Sequence, residues 1–158
     1  MKFQVGDQVV HWTYGLGKIV QLEEKVISGV PARYYVVRIR DLTLWVQADG
    51  PGECSLRRPT PDSEFKQLFD ILRSPGVSLS PDRLERRLYL QEQLRDGKLD
   101  GVCRVVRDLT SYCSTKKLND NDKSMLDRAR KLLITEWELS LSVTSAQAEH
   151  ELTKMLGV

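Results

Sequence analysis

The residues that could carry out acid–base chemistry in this chain of 158 amino acids are few and poorly placed. Glu23 and Glu24 form an acidic pair, but neighbouring residues of a strand point to opposite faces, so the two carboxylates cannot act on one bond. The sequence contains no Gly-x-Ser-x-Gly, no phosphate-binding loop and no His-Glu-x-x-His. We therefore predict a protein that is not an enzyme and takes no small-molecule substrate.

Thiol and imidazole groups are also too sparse for a metal site. The cysteines are Cys54, Cys103 and Cys113, and the histidines are His11 and His150. A zinc site needs about four such ligands at tight spacing, and no Cys-x-x-Cys is present. We predict no metal and no cofactor, and three reduced thiols that pack as small apolar residues.

Guanidinium groups, in contrast, gather at Arg83, Arg86 and Arg87. The net charge of the whole chain is only +2, so any affinity for nucleic acid must come from a local patch. Lys116 and Lys117 add two cations further along the chain. The patch predicts contacts to the phosphates of DNA, and the alternative is a solvated polar face of an amphipathic helix.

The elements that would position these groups fall into two classes. Residues 5–58 have the β-branched, aromatic and glycine-rich pattern of about five short strands, which favours a small closed barrel. Within residues 42–46 every second residue is apolar, so Thr43 and Trp45 are predicted to point away from the core. Turns are predicted at residues 14–17, Ser28-Gly29 and residues 48–52.

From Thr60 onward the apolar spacing becomes helical. Thr60-Pro61 and Ser80-Pro81 each place a capping hydroxyl before a proline, which predicts two helix starts. Asn119 with Asp122, and Thr144 with Gln147, have the spacing of capping boxes for two later helices. The helix after Ser80 is predicted to bury one apolar face, formed by Leu84, Leu88 and Leu94.

These patterns predict an α+β protein with a helical bundle behind the strands. We expect a β-domain at residues 1–60, a helix and linker at 61–78, and a compact helical bundle at 79–158. No apolar run approaches the roughly 20 residues needed to span a bilayer, and the first residues lack the apolar core of a secretory signal. We therefore expect a cytoplasmic monomer with no membrane contact.

Several strings, taken in order, resemble the CarD/CdnL family of bacterial transcription regulators. The segments that carry the resemblance are Phe3-x-Val5-Gly6-Asp7-x-Val9-Val10, Gly15-x-Gly17, Tyr34-x-Val36, Leu42-Thr43-Leu44-x-Val46, Leu94-x-x-Gly97, Val105-Val106-Arg107-Asp108-Leu109 and Met125-Leu126-x-x-Ala129-Arg130. The resemblance covers nearly the whole chain. It implies a Tudor-like first domain, related to one in transcription-repair coupling factors, and a helical DNA-binding domain.

The resemblance also implies two partners, the β subunit of RNA polymerase and promoter DNA. The first domain would add a strand to the polymerase, and the helical domain would contact the upstream edge of the melted promoter and stabilise the open complex. Such a protein would be associated with the nucleoid. Arginines that contact polymerase in some relatives correspond here to Lys25 and Trp45, and Thr43 lies on the same predicted face as Trp45.

The family usually has a tryptophan wedge in the helix after Ser80, and the corresponding position here is Arg83. An arginine cannot unstack bases as a ring does, but it can enter a narrow A·T-rich minor groove. The predicted DNA contacts are Arg83, Arg86, Arg87, Lys116 and Lys117.

Two other functions remain open. The protein could be an interaction module that docks on RNA polymerase or another partner without touching DNA. It could also be a chromatin-type reader, although strand alternation scatters the rings that an aromatic cage would need.

Overall fold

A computed structural model describes residues 2–11, 13–48 and 55–158, except for the side chain of Ile27. Trp12, Cys54 and most of the predicted turn at 48–52 lie outside the described residues. The chain divides into two compact units, Met1–Pro59 and Thr60–Val158. The first contains the described strands and the second contains the helices, which gives an α+β protein.

The first unit is an antiparallel sheet of five strands. They are β1 (Gln8–His11), β2 (Gly15–Ile27), β3 (Val30–Ile39), β4 (Leu42–Gln47) and β5 (Leu56–Arg57). Their order in the sheet is β4-β3-β2-β1-β5. Among the described residues β4 and β5 do not pair with each other, so the sheet is open and the prediction of a closed barrel is wrong.

The turn between β2 and β3 follows from its sequence. Ser28 and Gly29 both have positive φ, at 54° and 79°. A two-residue hairpin turn needs these values if it is to match the twist of the strands that it joins.

The predicted turn at residues 14–17 is wrong in extent, because β2 already begins at Gly15. A Cβ on Gly17 would overlap Cγ1 of Ile39 and would lie 2.8 Å from the carbonyl oxygen of Arg38, so this glycine permits close contact between β2 and β3.

One face of the sheet forms the core of the first unit. Tyr35 and Val37 of β3 are buried there with Ile19 of β2, and the Phe3 ring meets the Tyr35 ring edge-on at 5.5 Å. Val9 of β1 and Leu56 of β5 belong to the same core cluster. A register shift between Ile19 and Gln21 in β2 leaves Val20 exposed.

The second unit consists of a short 3₁₀ turn, Asp62–Glu64, and five helices. These are α1 (Phe65–Arg73), α2 (Arg83–Gln93), α3 (Leu99–Cys113), α4 (Asp120–Leu141) and α5 (Ser145–Leu156). The central helix is α3, which packs against α1, α2 and α4, while α5 packs against α1 and α4. The prediction of helices throughout this half is confirmed.

The two capping boxes, Asn119 with Asp122 and Thr144 with Gln147, are confirmed at the starts of α4 and α5. The two proline-based caps are wrong. The Thr60 hydroxyl donates to Oε1 of the buried Glu136, at 3.1 Å, and caps no helix. Asp82 caps α2 by accepting from the N–H of Glu85, whereas the Ser80 hydroxyl, two residues earlier, accepts from the N–H of Asp82 itself.

Candidate binding surfaces

The outward face of the sheet brings together two of the residues predicted to bind polymerase. Trp45 is 48% exposed, as the alternation in β4 predicts. Its ring reaches over β3 to β2, where Nζ of Lys25 lies 4.2 Å from the ring centroid. Its indole Nε1 donates to Oε2 of Glu23 at 2.9 Å. These contacts hold an exposed aromatic side chain in one orientation between a cation and a carboxylate.

The third predicted residue, Thr43, lies two positions before Trp45 on the same face of β4. Thr43 pairs with Arg38 and Trp45 pairs with Val36 in the register of β3 and β4. Thr43 is half-buried and the Arg38 side chain is exposed. Lys25, Thr43 and Trp45 thus share one face of the sheet, and Glu23 is a member of the group that the sequence did not indicate.

The main chain of β4 is also open to a partner. Among the described residues β4 pairs only with β3, so it is an edge of the sheet. The N–H of Ala48 donates to the carbonyl of Arg33 at 2.8 Å, which fixes the alternation along the strand. The N–H and C=O groups of Thr43, Trp45 and Gln47 therefore point away from β3. An unpaired row of this kind can hydrogen-bond an added strand.

The predicted cations of the second unit lie in α2 and in the connection between α3 and α4. Asp82 supplies the N-cap of α2, and Arg83 and Arg87 are both exposed, one turn apart. Lys116 and Lys117 are also exposed, in the connection between α3 and α4. The structure therefore leaves four of the five predicted DNA-contact side chains accessible to solvent.

Arg86 differs from its two neighbours, because only 4% of it is exposed. Its Nε and Nη2 donate to the two carboxylate oxygens of Asp122 at 3.2 and 3.0 Å. The hydrogen bond to Asp122 raises the pKa of the guanidinium. A side chain that is buried and paired in this way cannot also reach a phosphate, so we remove Arg86 from the predicted contact set.

The exposed leucines of α2 are a second difference from prediction. Leu84 is 63% exposed and Leu88 is 56% exposed, whereas Leu90 is fully buried. The helix is therefore rotated relative to the predicted face, so that Arg86 and Leu90 point inward. Leu84 and Leu88 form an apolar strip beside Arg83 and Arg87.

Asp108 in α3 is a buried junction that the sequence analysis missed. Its Oδ1 accepts from the N–H of Val77 and from Nε of Arg107, both at 2.9 Å. Its Oδ2 accepts from the hydroxyl of Tyr89 at 3.4 Å. The carboxylate thus ties the segment before α2, and α2 itself, to the central helix. In the sequence, the Arg107-Asp108 pair within an otherwise apolar stretch of helix indicates a buried carboxylate of this kind.

The two cysteines of the described residues differ in exposure. Cys103 is fully buried in α3, and burial raises the pKa of its thiol to about 12. Cys113 is an exposed free thiol, which the prediction of packed cysteines did not anticipate. The described residues contain no group of three potential metal ligands. Across the same residues no helix combines the length and apolar character that crossing a membrane requires.

Comparison with known proteins agrees with this two-unit arrangement. The family model for the CarD-like/TRCF RID domain matches residues 3–58, and that for the CarD C-terminal domain matches residues 67–153. A curated protein of Bacillus subtilis (strain 168), named "Putative transcription factor YdeB", is 31% identical over 151 residues. That alignment covers 92% of this chain and 96% of the relative. The chain therefore belongs to the CarD family of transcription regulators.

Proposed function

We propose that the protein joins RNA polymerase to promoter DNA. The first unit would bind the polymerase β subunit, and the second would bind the duplex at the upstream edge of the transcription bubble, altering the stability of the open complex. The single observation that carries the proposal is the exposed Trp45, held by Lys25 beside an open strand edge in a chain of this family. The role is one of binding, without catalysis or a cofactor.

The polymerase contact combines main-chain pairing along β4 with side-chain contacts from β4 and β2. Main-chain groups of Thr43, Trp45 and Gln47 would pair with an extended segment of the β subunit, which gives affinity with little dependence on sequence. The Trp45 ring would supply the apolar contact at the centre, and Lys25 would pair with an acidic side chain of the partner. Lys25 contributes charge without the two-pronged geometry of an arginine.

Replacing Trp45 tests this contact. We expect Trp45→Ala to weaken binding of the full chain to RNA polymerase by about 30-fold, as for a hot-spot residue worth about 2 kcal/mol. Tyr14→Ala is the matched control, because Tyr14 is an aromatic residue that is 52% exposed on the same unit. Equal affinities for the wild type and Trp45→Ala, measured by surface plasmon resonance, would contradict the proposal.

The DNA contact rests on the exposed cations Arg83, Arg87, Lys116 and Lys117. Two lie on the first turns of α2 and two lie in the connection that follows α3. Side chains of this type bind phosphates without reading sequence, and an arginine can also enter a narrow A·T-rich minor groove. We propose Arg83 for the second role because it replaces the family's usual wedge.

Salt dependence tests the role of Arg83. We expect Arg83→Ala to reduce the slope of log K against log salt for promoter DNA by about 1, because a cation in the minor groove displaces counterions as one at a phosphate does. Arg128→Ala, which removes an exposed arginine from the middle of α4, should leave the slope unchanged. An unchanged slope in Arg83→Ala would remove this residue from the interface.

A second candidate function is a docking module that binds polymerase without touching DNA. The exposed strip of Leu84 and Leu88 favours it, because apolar helix surfaces often bind protein. Under this alternative the full chain would bind RNA polymerase but show no salt-dependent affinity for promoter DNA alone. The salt titration therefore separates the two functions.

We also propose that the protein acts as a monomer in the cytoplasm, associated with the nucleoid. Both placements follow from the proposed partners, since promoter DNA and polymerase are found there.

A further inference from the structure

The buried guanidinium of Arg86 connects three segments of the second unit. Its Nη1 donates to the carbonyl of Ser80 at 3.0 Å, and this carbonyl belongs to the segment just before α2. The same nitrogen donates to the hydroxyl of Tyr112 near the end of α3, at 3.3 Å. Nε and Nη2 hold Asp122 in the first turn of α4. One side chain thus fixes the start of α2 against the ends of two other helices.

The connection between α3 and α4 is bonded to Arg86 at both of its ends. Tyr112 lies just before the connection, and the ring of Tyr112 also lies 5.0 Å from the guanidinium carbon. Asp122 lies just after it, and the carboxylate of Asp122 closes the capping box with Asn119. Lys116 and Lys117 are carried on the backbone between these two anchor points.

The first half of α2 has no apolar anchor that could replace Arg86. Between Arg83 and Tyr89, Arg86 is the one side chain that is buried, and Leu84 and Leu88 point to solvent. Apolar packing against the core begins at the half-buried Tyr89 and the fully buried Leu90. The first turn and a half of α2, which carries Arg83 and Arg87, is therefore fixed by Arg86 at its centre and by core packing only from Tyr89 onward.

We propose that the Arg86–Asp122 pair is a positioning device for DNA binding. It holds the exposed cations of α2, Arg83 and Arg87, and those of the α3–α4 connection, Lys116 and Lys117, as one surface that binds phosphates. The two charges of the pair cancel, and neither group touches the nucleic acid. This inference rests on the proposed DNA contact and assigns to Arg86 a role different from that of its neighbours.

Neutralising one or both partners tests the proposal in the full chain. Arg86→Gln leaves the Asp122 carboxylate buried without its cation, which costs more than removing both charges. We expect this variant to bind a promoter duplex more weakly, with a salt slope smaller by about 1 or more. In Arg86→Gln/Asp122→Asn two amides can bond each other, and the asparagine can still cap α4, so we expect affinity and slope to return toward the wild type.

The double variant gives different results for positioning and for direct contact. If the guanidinium itself bound phosphate, the double variant would be as defective as Arg86→Gln, and that result would overturn the proposal. Unchanged binding by a folded Arg86→Gln would also overturn it. If Arg86→Gln does not fold, Arg86→Lys takes its place, because lysine keeps the charge and loses the fork geometry.

A matched pair elsewhere in the same unit supplies the control. Arg130 of α4 bonds Glu149 of α5, and Arg130→Gln should leave the salt slope unchanged. Amide hydrogen exchange provides a readout that needs no DNA. We expect faster exchange at residues 83–89 and 114–119 in Arg86→Gln, reversed in the double variant. If the wild type binds no DNA, the proposed function fails, and the exchange pattern alone decides whether Arg86 positions these segments.

Discussion

At the scale of single residues, the indole of Trp45 shows how an exposed aromatic ring can be held in one orientation before a partner binds. Lys25 on one side and Glu23 on the other restrict its rotamers before any contact is made. A side chain that is already ordered loses less entropy on binding, so more of its apolar contact appears as affinity. This arrangement agrees with Trp45 as the centre of the proposed polymerase contact.

His11 makes the first unit sensitive to pH. Its Nδ1 accepts from the N–H groups of Thr13 and Tyr14, at 3.0 and 3.4 Å, and burial lowers the pKa of the imidazole. The unfolded chain therefore binds the proton more tightly than the folded chain. His11 therefore stabilises the folded first unit in full above pH 6.5, the ordinary pKa of histidine. This stabilisation is lost as the pH falls through the lowered pKa of the folded state.

We expect the first unit to melt a few degrees lower at pH 5 than at pH 7 because of this group. An asparagine at the same position can accept the same hydrogen bonds at every pH. His11→Asn should therefore melt with less dependence on pH over this range, as followed by circular dichroism. An equal pH dependence in the wild type and the variant would show that His11 does not cause the effect.

At the scale of elements, the two capping boxes show what local sequence can predict. A cap depends on residues three apart, so Asn119 with Asp122, and Thr144 with Gln147, could be identified without any tertiary information. The outward direction of Trp45 was equally accessible, because alternation along one strand decides it. The helical character of the second half follows from the same kind of short-range pattern.

Helix α2 shows where this reasoning stops. Its leucines occupy two different helical phases, Leu84 and Leu88 in one and Leu90 in the other, and spacing alone favoured the wrong one. The observed phase pairs Arg86 with Asp122, which lies 36 residues away in the sequence, and places Leu90 in the core. A buried ion pair between distant residues leaves no periodic signal, so the inward position of Arg86 could not be predicted. Closure of the sheet is likewise a long-range property of its edge strands.

The open edge of β4 leads to a prediction about the main chain. The N–H of Thr43 points away from β3, so proline at this position removes a donor from the edge without removing a bond between β3 and β4. We expect Thr43→Pro to weaken polymerase binding by about tenfold, the value of one hydrogen bond in a desolvated interface. Thr43→Val keeps the N–H and should bind as the wild type does.

The strand-addition mechanism fails if Thr43→Pro and Thr43→Val bind polymerase equally well. The chain would then contact its partner through the face of the sheet alone. Circular dichroism of both variants would show whether the sheet is intact.

At the scale of the whole molecule, two units with separate cores carry two separate surfaces. The strand edge and the Trp45 face belong to Met1–Pro59, and the cations of α2 and the α3–α4 connection belong to Thr60–Val158. A protein that binds a polymerase–promoter complex through both gains affinity from the second contact by effective concentration. Each surface can then be weak alone, which agrees with a net charge of only +2.

This division predicts how substitutions combine. Trp45→Ala should leave binding to DNA alone unchanged, and Arg83→Ala should leave binding to polymerase alone unchanged. On the polymerase–promoter complex, the fold-losses of the two variants should multiply in Trp45→Ala/Arg83→Ala, because sites that bind independently contribute additive free energies to within about 0.5 kcal/mol. Titration of all three variants against that complex gives the comparison. A double variant no weaker than Trp45→Ala would mean that the second unit makes no contact with DNA there, as the docking-module function requires.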